Sequence, residues 1–245
     1  MKQFKMDLHI HSCLSPCADL EMSPRSIVEK SLAKGLDGIA LCDHNSAENV
    51  SAVLKAGAQL GLYVLPGIEI NSVEEVHTLA IFDRKEQAVA MQEIVYQSLS
   101  GTNRPDIFGD QIVVNEFDEV TRFNDKMLIG ATHLRLDEIV KTVHQLGGLS
   151  IASHVDRPSY SILSQLGFVP PDLELDALEV SYRSSPESFQ GHVPGGEALP
   201  IVQSSDAHFH SDIGKVYTSF IMDIPCVQEI RLAFKALSGR RVFVH

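Results

Sequence analysis

The chain has 245 residues, 44% hydrophobic and 21% charged, an ordinary balance for a globular protein with one sizeable core. Its formal charge of −12 argues against a general nucleic-acid binder, duplex above all, because few counterions would be released from phosphates. The four cysteines, Cys13, Cys17, Cys42 and Cys226, form no C-x-x-C pair, and no run of ~18 apolar residues occurs; no disulfide framework or membrane span is expected, and the setting reads as cytoplasmic.

The first predicted element is the strand "FKMDLHIH", which places His9 and His11 two residues apart. On a strand such residues share a face, so both imidazoles project into one space. "SPRSIVEKSLAKG" follows as a helix, with Ser23 at the N-cap, Pro24 in the first turn and Gly35 at the stop. "DGIALCDHN" reads as a buried strand ending in Asp43-His44, and "SAENVSAVLKAGAQLG" as a helix closed by Gly61. "YVLPGIEI" and "VHTLAIF" are strands carrying Glu69 and His77, and "RKEQAVAMQEIVYQSLS" is the next helix.

Residues 101–130 are polar and irregular, and predict a surface excursion with one helix, "VNEFDEVTRF". "LRLDEIVKTVHQLGG" is a helix with Ile139, Val140, Val143 and Leu146 inward. The strand "LSIASH" ends at His154, "SYSILSQLG" is a short helix, "LDALEVSY" a strand, and "LPIVQSSDAH" a strand ending in Asp206 and His208. "PCVQEIRLAFKALSG" is the last helix. No linker or repeat interrupts the chain, so 1–245 reads as a single domain. Alternating helices and continuous apolar strands predict a parallel sheet covered by helices, and polar residues at strand ends favour a TIM-like barrel over an open sheet.

Six segments each deliver a His, Asp or Glu at a strand end: His9 and His11, His44, Glu69, His77, His154, and Asp206 with His208. A ring of strands would aim them at one point. Their nitrogen and oxygen donors suit Zn, Mn or Fe ions, and there are too many for one ion.

"DLHIHSCLSP", "LCDHN", "GIEI" with "VHTL", "SHVDRP" and "SSDAH" resemble, in order, the motifs of the PHP (polymerase and histidinol phosphatase) family. The resemblance implies a distorted (β/α)7 barrel with two or three divalent metal ions that hydrolyses a small phosphomonoester or a nucleotide. Carried over by position, His9, His11, Glu69 and Asp206 hold the first metal. Glu69 bridges to a second, completed by His77 and His154, and His44 and His208 hold a third. The family's further ligand for the third metal is often His or Asp; here the position falls on Cys17, with Asp19 as an alternative. Glu69, Asp206 and His208 take the catalytic roles by the same carry-over. A water bridging two ions would attack phosphorus, with no Ser or Cys nucleophile.

Arg157, Arg183 and Arg135 lie just after or between strand ends, where a guanidinium can grip phosphate in a bidentate way, and His133 and His210 flank the expected mouth. Asp43 and Asp7 are expected to orient imidazoles or strands rather than to ligate. Two other readings stand beside this one: a TatD-like or amidohydrolase-like metallohydrolase, and a PHP-fold protein that senses a phosphorylated ligand without catalysis.

Overall fold

The computed structural model describes residues 1–244. The chain runs β1 (Lys2–Ile10), α1 (Pro24–Ala33), β2 (Gly38–Leu41), α2 (Val50–Leu60), β3 (Tyr63–Asn71), β4 (His77–Ile81), α3 (Lys85–Ser98), α4 (Pro105–Phe108), β5 (Ile112–Val114) and β6 (Val120–Phe123). It continues with α5 (Leu136–Gln145), β7 (Leu149–Ala152), α6 (Ile162–Leu166), β8 (Ala177–Val180), β9 (Ile201–Gln203), β10 (Thr218–Met222), α7 (Val227–Phe234) and β11 (Arg241–Phe243).

One sheet carries the order β11-β10-β1-β2-β3-β4-β7-β8-β9. Its stretch from β1 to β9 curls into a nearly closed barrel. The ends meet where His11 N–H donates to Ala207 O at 3.0 Å and Ala207 N–H donates to His9 O at 3.3 Å. The expectation of a wholly parallel sheet needs correction: β4 runs antiparallel to both β3 and β7, and β10 antiparallel to β1. Only residues 72–76 link β3 to β4, and a parallel crossover needs a dozen residues or more.

The barrel interior is apolar at its base and polar at its mouth. Leu8, Ala40, Cys42, Leu65, Leu79, Ile151, Ala177 and Val202 form the inner cluster. Ile39, Leu41, Ile68 and Ile70 face outward and pack against α1, α2, α3 and α5 through residues such as Ile27, Val53, Met91 and Ile139. Gly67 is required where β3 approaches β2, because a Cβ there would lie 2.5 Å from Cys42 Sγ and 2.9 Å from Leu41 O. Along β3 the inward column then reads Leu65, Gly67, Glu69.

Strand β1 needs one irregularity to reach the same layout. Leu8 belongs to the inner cluster and Ile10 to the outer one, although two residues apart they should share a face. The pairing of β1 with β2 shifts register between Asp7 and Ile10, and this bulge re-aims the strand. His9 and His11 thereby turn to the interior, both fully buried.

In the irregular region, the expected helix over "VNEFDEVTRF" is a hairpin of β5 and β6. Asn115 decides this locally. Its side-chain oxygen accepts from Phe117 N–H at 2.9 Å and Glu119 N–H at 3.1 Å, and Asp118 sits at φ +63°. These bonds close a turn and compete with helix.

Candidate metal centre

Each ligand type arrives at the mouth on a different element. His9 and His11 come from the end of β1, His44 follows β2, Glu69 stands near the end of β3, and His154 and Asp206 follow β7 and β9. His77 is the first residue of β4 rather than the last of a strand; because β4 runs antiparallel, its start lies at the mouth.

Glu69 is the hub. Its Oε1 lies 3.0 Å from His77 Nδ1, 3.2 Å from His154 Nε2 and 3.4 Å from His9 Nε2. Its Oε2 lies 3.0 Å from His44 Nδ1 and 3.4 Å from His11 Nε2. Asp206 Oδ1 stands 3.2 Å from His11 Nε2 and 3.4 Å from His9 Nε2. The His208 ring stacks on His11 with centroids 4.1 Å apart. Among the described residues, three groups bring their ligand atoms within 4.8 Å of one another: His9 with His11 and Asp206; His44 with Glu69 and His77; and His11 with His44 and His208.

The electrostatics agree with this geometry. Burial opposes the charge on Glu69, but His77, His9 and His44 outweigh it and hold the carboxyl well below its usual range. Burial likewise opposes Asp206, and His9 and His11 hold it well below. Burial drives His11 well below the usual imidazole range, with His208 and His44 adding to the effect, and takes His77 down to about 4 against the pull of Glu69. His9 goes the other way: the carboxylates of Glu179, Glu69 and Asp206 overcome its burial.

The donor set fits divalent ions. Asp206 Oδ1 and His154 Nδ1 take part in no well-formed hydrogen bond though both are buried, while Asp206 Oδ2 is ion-paired with Arg157. Buried polar atoms normally find partners. Asp206 Oδ1 faces the ring nitrogens of His9 and His11, a mixed oxygen and nitrogen donor set of the kind that holds a cation. His154 and Asp206 also adopt left-handed backbone, φ +28° and +49°, a strain that tends to collect at functional sites.

The surroundings orient the ligands. His11 Nδ1 faces Ser15 Oγ at 3.0 Å, and that hydroxyl donates to Asp43 at 2.8 Å; the arrangement protonates Nδ1 and leaves Nε2 free for a metal. Asp43 thus orients His11 through Ser15. Asp7 instead accepts from Ser205 N–H at 2.9 Å and Gly214 N–H at 3.1 Å, fixing the loop that carries Asp206. Burial raises the Asp7 carboxyl to about 6. Sequence reasoning missed Glu179, buried on β8, which lies 3.0 Å from His9 Nδ1 and accepts from His154 N–H at 3.0 Å. The only signal was a carboxylate inside the apolar run "LDALEVSY".

The mouth is a cavity of about 200 Å³ whose walls include Cys17, His44, Glu69, Arg157, Tyr160 and Asp206. Cys17 lines this cavity with His44 and His208, but the group of His11, His44 and His208 with ligand atoms within 4.8 Å of one another does not include it. Although desolvation at the cavity wall opposes the Cys17 thiolate, His44 and His208 draw the thiol down to about 6. Arg157 lies 2.5 Å from Asp206 Oδ2. Arg183 is exposed beside Tyr182 on the segment after β8. Arg135 stands apart at the start of α5, paired with Asp137 at 2.9 Å. His210 is turned to Ser26 Oγ at 2.6 Å, and His133 to Ser100 Oγ at 2.9 Å. A larger cavity of about 700 Å³ lies at the other end of the barrel, lined by His144, Asp176 and Arg231, with His144 and Arg231 both bonded to Asp176.

The PHP domain model matches residues 7–179, and the PHP-associated model matches residues 198–238. A 5'-3' exoribonuclease of Haemophilus influenzae is 34% identical over 68 residues, a match spanning 28% of this chain and 24% of the relative. The lesion-specific endonuclease Q of Pyrococcus furiosus superposes with a TM-score of 0.76 at 20% identity, covering 98% of this chain and 58% of that one. An endonuclease Q complex with a 27-mer duplex bearing an abasic lesion at the active site superposes at 0.74 with 21% identity, again covering 98% and 58%. The chain thus spans about a quarter of the exoribonuclease and somewhat over half of each endonuclease Q chain. Among the described residues, no helix is long and apolar enough to cross a membrane.

Proposed function

Because the chain belongs to the PHP domain family, we propose that it is a metal-dependent phosphoesterase that hydrolyses a small phosphomonoester or a nucleotide. Glu69 carries this reading. One buried carboxylate offers Oε1 to three imidazoles and Oε2 to two others, the arrangement of a ligand shared between neighbouring ions.

His9, His11 and Asp206 with Glu69 are assigned to one ion, and His77 and His154 with Glu69 to a second. His44 and His208 with Cys17 are assigned to a third. Divalent ions held there supply a water ionised near neutral pH and positive charge against the phosphoryl oxygens. The protein groups have separate duties. Glu179 and Ser15 keep His9 and His11 in the tautomer whose Nε2 faces the centre. Arg157, next to Asp206, offers a planar fork to the substrate phosphate. Ser12 and Ser15 both donate their hydroxyls to Asp43, so neither is free to serve as a nucleophile.

Net charge is no argument against nucleic acid, duplex included. A protein of the same fold holds a 27-mer duplex, and Glu69, Glu179 and Asp206 of this chain are buried in the centre rather than on the surface. The nitrogen- and oxygen-rich donor set suits Zn, Mn or Fe, and the Cys17 thiolate favours zinc at the third position.

The test is phosphate release by Mn²⁺-loaded protein from histidinol phosphate, nucleoside monophosphates, 3′,5′-bisphosphates and 5′-phosphorylated oligonucleotides. Release from at least one, falling by orders of magnitude in Asp206→Asn with the fold intact, is expected. A metal-replete protein inert toward all of them would overturn the proposal in favour of a ligand sensor.

A further inference from the structure

A cavity of about 200 Å³ falls below the roughly 300 Å³ of pockets that bury a whole small ligand. It can take a phosphate and little more, so the rest of the substrate lies on the rim. The rim is not neutral ground. Tyr160 lines the cavity, its ring stacked on His77 with centroids 4.8 Å apart and planes 22° apart, while 42% of the residue remains exposed. Its backbone is left-handed at φ +55°, costly for a bulky residue, and its carbonyl accepts from His77 N–H at 2.9 Å. A flat aromatic surface is thus fixed directly above a ligand of the centre.

A second feature stands beside it. Asp156, next to Arg157, accepts from Ser181 N–H at 2.8 Å and from Ser181 Oγ at 2.7 Å. That clamp holds the segment after β8 against the segment bearing Arg157. The residues following Ser181 are Tyr182 and Arg183, both exposed. The Tyr182 ring carries the Arg183 guanidinium at 5.6 Å and Lys215 Nζ at 5.0 Å. Lys215 also pairs with Asp212, which leaves it partly neutralised. Two cations are therefore gathered on one aromatic ring beside the mouth of an otherwise acidic chain.

An aromatic face next to the reacting phosphate and clustered cations along the rim are the components of a single-strand nucleic-acid path. We infer that Tyr160 stacks an unpaired nucleobase at the mouth while Arg183 and Lys215 take a neighbouring backbone phosphate, so that the ester presented to the centre belongs to single-stranded nucleic acid. This rests on the phosphoesterase reading for its reaction but not for its binding.

The experiment measures fluorescence anisotropy of metal-loaded protein with labelled single-stranded octanucleotides carrying hydrolysis-resistant phosphorothioate linkages. One strand is complete, and its twin is abasic at the terminal nucleotide. The wild type is expected to prefer the complete strand about tenfold. The preference falls to near one in Tyr160→Leu and is kept in Tyr160→Trp. In Arg183→Gln the preference stays, and the slope of log affinity against log salt shrinks by about 0.7, with a smaller decrease in Lys215→Gln. Equal binding of the two strands by wild type, or a preference retained in Tyr160→Leu, overturns the inference. Hydrolysis of ribose 5-phosphate, run in parallel, separates the failures. Activity there with no base preference leaves the phosphoesterase standing without the platform; a base preference with no hydrolysis of any ester does the reverse.

Discussion

At the scale of single residues, the centre is a balance of charges that water would not tolerate in this geometry. Five imidazoles crowd one carboxylate, and each ring's protonation follows from its partners rather than from its own chemistry. Cys17 is the most accessible test. His44 and His208 draw its thiol, which is exposed at the mouth, down to about 6, so the thiolate is present above that pH and lost below it. In metal-stripped protein, iodoacetamide should modify Cys17 with a midpoint near pH 6, well under the ~8.5 of a free thiol. Added zinc should slow the reaction if the thiolate becomes a ligand. A midpoint above 8 would remove Cys17 from the third position. Histidines and carboxylates were legible as candidate ligands in the sequence because six sites shared one kind of position. Glu179 and Ser15 were not, because a residue that acts through another is recognised only by what it touches.

At the scale of elements, the strand ends deliver the chemistry and the base of the barrel holds them in place. Asp176, just before β8, binds His144 Nε2 at 2.9 Å, Ser150 N–H at 2.9 Å and Arg231 Nε at 3.2 Å, tying α5, β7 and α7 together. Burial opposes its charge, yet His144 and Ser150 hold the carboxyl below its usual range. A depressed carboxyl stabilises the fold above its unfolded pKa, and that contribution disappears as pH falls through the folded value. Asp176→Ala should therefore cost about 2 kcal/mol at pH 7, roughly 5 °C in midpoint, by thermal unfolding. The gap to wild type should narrow as pH falls below about 4. A constant gap would mean that packing, not charge, is what Asp176 contributes. The helices were readable from apolar periodicity and their stops, as Gly61 and Gly35 illustrate. Two things were not. The antiparallel sense of β4 depends on pairing partners far away in sequence. The hairpin at Asn115 depends on side-chain bonds to its own backbone, which overrode a pattern that read as helix.

At the scale of the whole molecule, the mouth crowds buried carboxylates and imidazoles around Glu69 and Asp206, a set that a bound cation would stabilise. Binding that is confined to the native state stabilises it by mass action, about 4 kcal/mol at a thousandfold excess over Kd. Stripping metal with a chelator should lower the unfolding midpoint by roughly 10 °C for a chain of this size. Zinc or manganese should restore it, and His9→Ala should blunt the response. No shift on chelation would argue that the centre is satisfied without ions.

The sequence by itself determined the set of candidate ligand types, their order along the chain, the family they resemble and the barrel that such strand ends imply, because these depend on residue identity and local period. Only the tertiary structure decided that Glu69 is the hub, that Cys17 and Arg157 line the cavity while Arg135 and His210 stand apart from it, and that Tyr160 roofs His77. Those facts are distances between residues remote in sequence. They are fixed by a bulge in β1, an antiparallel β4 and the closure of β1 onto the segment after β9, none of which leaves a local mark strong enough to read.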